Sequence, residues 1–241
     1  MLIADKVCKS FGDKVVLNGA SLEIAPGQIT CVIGPSGTGK TTLLRALAML
    51  EYPDSGRITV EDDSYDFPLQ KDQEIIPPWP RLTAVFQSLF LWPHLTLREN
   101  IMLPARNCNN RAEKDIDGLI KLFEMEHFIN NYPNQASIGQ RQRVALARAL
   151  ILNPLYILMD EITSALDVEQ TAKILTKLTH LRERGIGVML ITHHLGFARQ
   201  AADQVIFMDD GVVAEQGGPS ILQNPRTERL QRFLSMTQMV A

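Results

Sequence analysis

The sequence is poor in several features that would point to other classes of protein. It has three cysteines in 241 residues, Cys8, Cys31 and Cys108, and they lack the spacing of a metal site or a disulfide framework. They therefore indicate reduced thiols in a cytosolic protein. No apolar stretch approaches the roughly 18 residues that a transmembrane helix needs, and the first residues lack the apolar core of a signal peptide.

An excess of positive charge is also absent. The formal net charge is −3, from 24 Lys and Arg residues against 27 Asp and Glu residues. Because duplex nucleic acid usually binds a basic surface, this balance argues against nucleic acid as the main partner. At 241 residues the chain is long enough to bury a large core, as one α/β unit or one unit with an insertion.

The most informative segment is a glycine-rich loop at residues 34–42, which fits the pattern G-x-x-x-x-G-K-[ST]. It follows an apolar run typical of a buried strand, 29–33, and precedes a run of helix formers, 43–47. The N–H groups of such a loop and the positive end of the helix bind phosphates. We expect Lys40 to reach the terminal phosphates and the Thr41 hydroxyl to ligate Mg²⁺. The sequence therefore predicts a nucleoside triphosphate site made by Gly34, Pro35, Ser36, Gly37, Thr38, Gly39, Lys40, Thr41 and Thr42.

Short apolar runs predict the strands around this loop. Before about residue 27, β-type runs alternate with glycine turns, which favours an N-terminal antiparallel layer. Residues 155–159 and 187–191 are continuously apolar, as expected for parallel strands that are covered on both faces. The pair Asp210-Gly211 separates two further apolar runs and predicts a hairpin.

Two stretches interrupt the alternation of strands and helices. Residues 61–80 are irregular and rich in Asp and Pro, so we expect a surface loop there without catalytic residues. Residues 95–153 have a helical pattern with few strand signals. The prediction is a single α/β domain with a P-loop NTPase core and a mostly parallel sheet. This core comprises 1–94 and 154–241, and 95–153 form a helical insertion subdomain.

A pair of carboxylates closes one of the predicted buried strands. Asp160 and Glu161 follow the apolar run at 155–159. A carboxylate at the carboxyl end of a parallel strand is placed to hold Mg²⁺, and its neighbour diverges and can face an attacking water. We therefore assign Asp160 to the metal and Glu161 to the role of general base or water-positioning residue. The alternative is a pair of solvated acids at the edge of a sheet.

Together with further segments, these residues resemble the ATP-binding cassette ATPases of ABC transporters in order and spacing. The resemblance covers essentially the whole chain and is carried by 34–42, Gln87, 137–140, 155–167 and Thr192-His193. Within that family, three more segments are similar to the polar amino acid importers: 193–198, Asp210-Gly211 and 224–234. The resemblance implies an ATP-hydrolysing importer subunit with ATP and Mg²⁺ as cofactors, in which two copies clamp ATP.

The resemblance also assigns roles to single residues. Phe11 matches an aromatic residue that stacks on adenine, with Val16 nearby, although a lone Phe is also a common core residue. Gln87 matches the glutamine that joins Mg²⁺ and the attacking water to the membrane subunit, or it is an ordinary strand end. His193 matches the histidine that contacts the γ-phosphate, and Asp167 matches the loop along the dimer seam.

The signature segment departs from the family pattern. It normally reads Leu-Ser-Gly-Gly-Gln, and in this chain Ala136 is followed by Ser137, Ile138, Gly139 and Gln140. In the family this segment comes from the opposing subunit and approaches the γ-phosphate, where a glycine permits close backbone contact. Ile138 is stiff and β-branched, so we expect slow hydrolysis in a homodimer, or pairing with an ATPase that has an intact signature.

A second departure is Ile162, where the family has a proline that restrains the backbone. The implied partners are a second ATPase subunit, transmembrane permease subunits and, indirectly, a substrate-binding protein, at the inner face of the cell membrane. Phe90 and Trp92 are expected to line a groove for the permease, or else to be buried in the helical subdomain. Open alternatives are a low-turnover nucleotide-binding regulator and a non-importer cassette ATPase. A GTPase is disfavoured because the Asn-Lys-x-Asp motif is absent.

Overall fold

The chain folds around a six-stranded, largely parallel sheet and a second, four-stranded antiparallel sheet. A computed structural model describes residues 1–71, 73–163 and 168–240. The strands in these ranges are β1 Leu2–Phe11, β2 Lys14–Ile24, β3 Ile29–Ile33, β4 Ser55–Val60, β5 Asp63–Phe67, β6 Leu82–Val85, β7 Tyr156–Asp160, β8 Gly187–Ile191, β9 Gln204–Asp209 and β10 Val212–Gly217. The helices are α1 Lys40–Leu47, α2 Leu97–Met102, α3 Ala112–Leu122, α4 Ile138–Leu150, α5 Val168–Glu183, α6 Leu195–Ala201 and α7 Glu228–Val240.

The larger sheet has the strand order β10-β9-β3-β8-β7-β6. The five strands from β9 to β6 pair in parallel, and β10 closes one edge as an antiparallel strand. Every residue of β3, β7 and β8 is buried. Because the carboxyl ends of parallel strands share one edge of a sheet, the segments that follow β3, β8, β7 and β6 lie side by side there.

Alternate residues of the buried strands face two different hydrophobic clusters. In β7, Ile157 and Met159 belong to a cluster that includes residues of α2 to α6. Tyr156 and Leu158 belong to a second cluster, formed with α1 and the antiparallel sheet. This division follows from the two-residue period of a strand. Since both faces are covered, the strand sequences read as continuous apolar runs.

The antiparallel sheet has the order β2-β1-β4-β5 and shows that the prediction of a loop throughout 61–80 is wrong at its start. β5 pairs with β4, with Tyr65 opposite Ile58. Phe67 is buried and Tyr65 packs on the core, whereas Asp63 and Asp66 are exposed. The acidic composition of this stretch therefore comes from exposed residues of an edge strand, Asp66 on its outward face and Asp63 at its start, where charge discourages further strand pairing.

The helices α2, α3 and α4 all fall within the stretch for which the sequence predicts helix. One of the loops also agrees with its sequence pattern. The predicted hairpin is confirmed, with Asp210 at φ 46° and Gly211 at φ 76° between antiparallel β9 and β10. Positive φ at both central residues is the reason that Asp-Gly suits such turns. Among the described residues, none of the helices has the length and apolarity needed to cross a membrane.

Candidate nucleotide site

The phosphate loop joins β3 to α1, and three of its glycines have backbone angles that other residues rarely adopt. Gly34, Gly37 and Gly39 have φ values of 148°, 83° and 95°. A Cβ atom on Gly34 would overlap the backbone carbonyl oxygen of Met208, and one on Gly39 would lie 2.6 Å from the carbonyl oxygen of Val16. The glycines therefore allow both the curvature of the loop and its close packing against two neighbouring strands.

Lys40 is the first residue of α1 and its side chain is buried in the loop. Its Nζ atom donates hydrogen bonds to the backbone carbonyls of Gly34, at 2.9 Å, and Pro35, at 2.7 Å. Burial lowers the pKa of Lys40, while the nearby carboxylates of Glu161 and Asp160 raise it in part. The ammonium group is thus held within the loop, where its donors can also reach phosphate oxygens.

Asp160 lies at the carboxyl end of β7, and its carboxylate accepts a hydrogen bond from the Thr41 side chain. Burial raises the pKa of Asp160, the Thr41 hydrogen bond lowers it in part, and the charge of Glu161 raises it further. A hydroxyl and a carboxylate oxygen are ligands that suit Mg²⁺. The described residues contain no group of three or more His, Cys, Asp or Glu side chains that could hold a metal ion by themselves. This donor set therefore fits a Mg²⁺ ion that takes its remaining ligands from water and phosphates.

Glu161 and His193 meet directly at the edge of the parallel sheet. The Nε2 atom of His193 lies 2.7 Å from Oε1 of Glu161, within hydrogen-bond distance. Glu161 has φ 47°, and its N–H donates to the carbonyl of Ile191 at the end of β8, at 3.0 Å. The side chain of Glu161 is 26 % exposed and that of His193 is 48 % exposed. The pair is therefore accessible to water while the backbone of Glu161 is fixed.

Thr192, which carries part of the family resemblance but was given no role of its own, is a positioning residue. Its side chain is buried, and its Oγ1 accepts a hydrogen bond from the N–H of His194 at 3.0 Å. Its own N–H donates to the carbonyl of Val32 in β3 at 3.2 Å. Thr192 therefore ties the turn that carries His193 to the strand before the phosphate loop. The sequence signal that could have indicated this role is the position of Thr192 between an apolar run and two histidines.

Three other predicted residues lie outside the phosphate loop and the strand ends described above. Gln87 is exposed and comes two residues after β6 ends, so it is beyond the strand rather than at its last position. Phe11 is the last residue of β1, and its side chain is 49 % exposed, so the alternative of a core phenylalanine is wrong. The Nζ atom of Lys9 lies 5.4 Å from the centre of the Phe11 ring. Val16, in β2, is partly buried.

The signature residues form the start of α4. Ser137 is the N-cap: its Oγ accepts from the N–H of Gln140 at 3.2 Å, and Oε1 of Gln140 accepts from the N–H of Ser137 at 2.9 Å. Gly139 is buried, whereas Ile138 is 45 % exposed in the first turn. The helix start thus has a capping box formed within one chain and presents an isoleucine to solvent. Asp167 lies outside the described residues.

The buried residue Ile162 follows Glu161 at the second departure from the family pattern. Its side chain has no exposed surface and packs in the cluster with the helices. Packing therefore holds this position in the absence of a proline, which would restrain φ directly.

The chain is similar in sequence to known proteins. Residues 17–164 match the family model described as ABC transporter. The chain is 40 % identical over 239 residues to the arginine transport ATP-binding protein ArtM of Bacillus subtilis (strain 168), covering 97 % of this chain and 98 % of the relative. It is 41 % identical over 239 residues to the glutamine transport ATP-binding protein GlnQ of Escherichia coli (strain K12), with the same coverage.

A solved structure extends the likeness to the fold. The ATP-binding cassette MJ0796, in a dimeric post-hydrolysis state bound to ADP and Pi, is 33 % identical, with a TM-score of 0.78 over 91 % of this chain and 99 % of that chain. The predicted fold class, a P-loop NTPase core with antiparallel and helical additions, is confirmed, and so are the predicted cofactors, ATP and Mg²⁺. The chain belongs to the ABC transporter family, as one of its ATP-hydrolysing subunits.

Proposed function

We propose that this ATPase subunit powers the import of polar amino acids. The observation that carries the proposal is near full-length similarity, at about two residues in five, to ATP-binding proteins named for arginine and glutamine transport. A relative of Bacillus subtilis named for L-cystine import is 39 % identical over 242 residues. Arginine, glutamine and cystine are all polar amino acids, which supports this class of cargo. Which amino acid is carried would then be selected by the membrane subunits.

The groups at the edge of the parallel sheet support ATP hydrolysis, with different residues for phosphate binding, metal binding and activation of water. The backbone N–H groups of residues 34–42, except at Pro35, and the ammonium of Lys40 bind the phosphates. Thr41 and Asp160 hold Mg²⁺, which when bound neutralises phosphate charge. Glu161 accepts a proton from the attacking water or orients it. His193, 2.7 Å from Glu161, keeps that carboxylate in place and faces the γ-phosphate. Gln87 joins this centre to the membrane subunits.

The working unit in this proposal is a dimer in which Ser137, Ile138, Gly139 and Gln140 of one subunit cover the ATP held by the other. The dimeric state of the cassette MJ0796 supports a dimer as the working unit. Adenine stacks on exposed Phe11 beside Val16. Closure over ATP and its reversal after hydrolysis shift the membrane subunits between their states. The exposed Ile138 makes closure less favourable, unless the second subunit is a different ATPase.

An apolar groove of about 510 Å³ supports a permease docking site. Its lining includes Met49, Trp79, Phe86, Trp92, Pro104 and Leu152. Phe90 is 65 % exposed and Trp92 is 38 % exposed, which contradicts the alternative that both are buried in a helical subdomain. We propose that a short helix of the permease occupies this groove, and that residues 95–153 form the helical subdomain on one side of it. A substrate-binding protein and a location at the inner face of the cell membrane complete the proposal.

Substitution of Glu161 tests directly whether the chain hydrolyses ATP as proposed. Glu161→Gln keeps the size of the side chain and a hydrogen-bonding partner for His193, but removes the base. We expect kcat for phosphate release to fall by about 10² to 10⁴-fold, because general-base catalysis contributes that much. ATP binding is retained, and the ATP-bound dimer becomes detectable by light scattering.

The control is Glu183→Gln, a surface carboxylate that pairs with His180 at 3.2 Å on α5, outside the site. Its phosphate release should equal that of the wild-type protein. A wild-type protein that binds ATP but releases no more phosphate than Glu161→Gln would instead support the regulator without turnover. The direct contact between Glu161 and His193 favours an ATP-hydrolysing subunit, since a site that only binds ATP needs no carboxylate positioned in this way.

A further inference from the structure

The C-terminal helix is joined to the turn between β9 and β10 by one arginine. Arg229, in the first turn of α7, places Nη1 2.8 Å from Oδ2 of Asp209 and Nη2 3.1 Å from Oδ2 of Asp210. The Asp209 side chain is 20 % exposed, so this half of the interaction is partly protected from water. One guanidinium group therefore holds both residues that precede Gly211 in the turn.

α7 itself is firmly attached, which fixes the position of Arg229. The buried carboxylate of Glu215 accepts hydrogen bonds from the N–H groups of Arg226, at 3.0 Å, and Thr227, at 2.9 Å, and from the Thr227 hydroxyl, at 2.7 Å. Further along the helix, the ring of Phe233 lies 5.4 Å from that of Phe207 in β9. The arginine thus projects from a helix that is anchored at its start and packed along its length.

The turn held by Arg229 packs against the backbone of β2. The N–H of Asn18 donates to the carbonyl of Gly211 at 2.9 Å. A Cβ atom on Gly211 would lie 2.5 Å from the carbonyl oxygen of Val16, closer than atoms can approach without displacement. There is therefore no space for a side chain between Gly211 and this part of β2, and we expect a shift of the turn to displace the strand.

The same carbonyl group of Val16 also contacts the phosphate loop. A Cβ atom on Gly39 would lie 2.6 Å from that oxygen. Two glycines, one in the phosphate loop and one in the β9–β10 turn, thus approach a single peptide group of β2. In the proposed function, Val16 and the exposed Phe11 form the surface on which the nucleoside binds, which we call the wall. Arg229 is connected to that wall through the turn, although it belongs to the C-terminal helix.

We propose that Arg229 is a positioning residue for the nucleoside part of ATP. By holding the turn against β2, it sets the distance between the wall formed by Phe11 and Val16 and the phosphate loop. Arg229 therefore strengthens binding of the base and ribose, and it takes no part in cleavage of the phosphate bond. The inference rests on the proposed function, because it requires that this wall binds the nucleoside.

The test compares Arg229→Gln with a matched variant on the same helix, Arg232→Gln. Arg232 pairs with Glu228 of its own helix at 3.5 Å and has a side chain that is 75 % exposed. Calorimetric titration of the full chain with ADP and with AMP-PNP should show a Kd about three- to fivefold higher for Arg229→Gln, the range of a half-exposed ion pair. Arg232→Gln should bind both nucleotides like the wild type.

Three further measurements distinguish this role from a general loss of structure. Inorganic triphosphate, which lacks the nucleoside, should bind Arg229→Gln as tightly as the wild type. At saturating ATP, kcat should be unchanged, so that the defect appears in KM. Asp209→Asn, which weakens the same interaction from the other side, should raise the Kd similarly. The double variant should bind no more weakly than either single variant.

An unchanged Kd for both nucleotides in Arg229→Gln would overturn the inference. An equal loss of triphosphate affinity, or a fall in kcat with KM unchanged, would overturn it as well, since either result places the effect on the phosphates or on the chemistry. If the wild-type chain itself binds no ATP, the proposed function fails and the inference fails with it. Wild-type ATP binding together with normal binding by Arg229→Gln refutes the inference alone.

Discussion

Replacement of Arg148 by methionine tests whether the apolar groove is the docking site for the permease. Arg148, on α4, donates from Nη1 to the carbonyl of Phe90 and from Nη2 to that of Leu89, both at 2.7 Å. Its guanidinium group lies 5.2 Å from the centre of the Trp92 ring, which lines the groove. Burial lowers the pKa of Arg148, yet a guanidinium group remains charged in proteins. One side chain therefore orders the segment from Leu89 to Trp92.

The magnitude follows from the contacts that methionine removes. A hydrogen bond from a charged donor contributes about 1.5–3 kcal/mol when it is shielded from water, and less when exposed. The bond to Leu89 is partly buried and the bond to Phe90 is exposed, so we assign them roughly 2 and 1 kcal/mol. Methionine retains most of the apolar stem. We expect Arg148→Met to lower the free energy of unfolding by about 3 kcal/mol, a large part of typical stability.

The matched control is Arg143→Met on the same helix. Arg143 donates to the carbonyls of Phe123, at 3.0 Å, and Glu124, at 3.1 Å, and its guanidinium group lies 4.9 Å from the centre of the Phe128 ring. These contacts lie outside the lining of the groove. Urea denaturation should show losses of similar size for both variants, somewhat smaller for Arg143→Met because its hydrogen bonds are longer.

The two variants should differ in permease binding. With equal amounts of folded protein, co-purification with the membrane subunits should be lost in Arg148→Met and retained in Arg143→Met. A stability loss below about 1 kcal/mol for Arg148→Met would refute the assignment of charge-assisted hydrogen bonds. Equal permease binding by both variants would refute the groove as the docking site.

Two further predictions concern the signature helix and the start of α7. Ile138→Gly should raise the ATP turnover of the homodimer by roughly tenfold, since removal of the β-branched side chain allows the helix start to approach the γ-phosphate. A steady-state phosphate assay in which turnover is unchanged would contradict this explanation. Burial raises the pKa of Glu215, but hydrogen bonds from Arg226 and Thr227 outweigh it and lower the pKa overall. The stability this confers is present above the ordinary pKa of a glutamate and is lost as the pH falls through the lowered value. Wild type should therefore exceed Glu215→Gln by about 1–3 kcal/mol in urea denaturation at pH 7. The difference should shrink on acidification below the ordinary glutamate pKa, and a difference that is independent of pH would count against the role of the charge.

Several parts of the fold could be predicted because their signals are local. The spacing of Gly34 and Gly39 marks a loop that needs positive φ angles, and Asp210-Gly211 marks a turn that needs two of them. β5 could not be predicted, because its exposed carboxylates give it the composition of a loop. Its inward residues, Tyr65 and Phe67, become recognisable as a strand face only through pairing with β4.

The sequence by itself determined which chemical groups are available: a phosphate loop with Lys40, two carboxylates after an apolar strand, and histidines after another. The tertiary structure decided which of them meet. Glu161 and His193 are 32 residues apart and come within 2.7 Å because β7 and β8 are adjacent and parallel. It also decided that Gly39 and Gly211 approach the same carbonyl of Val16. Such contacts depend on strand order and on packing between distant segments, which no local pattern of residues specifies.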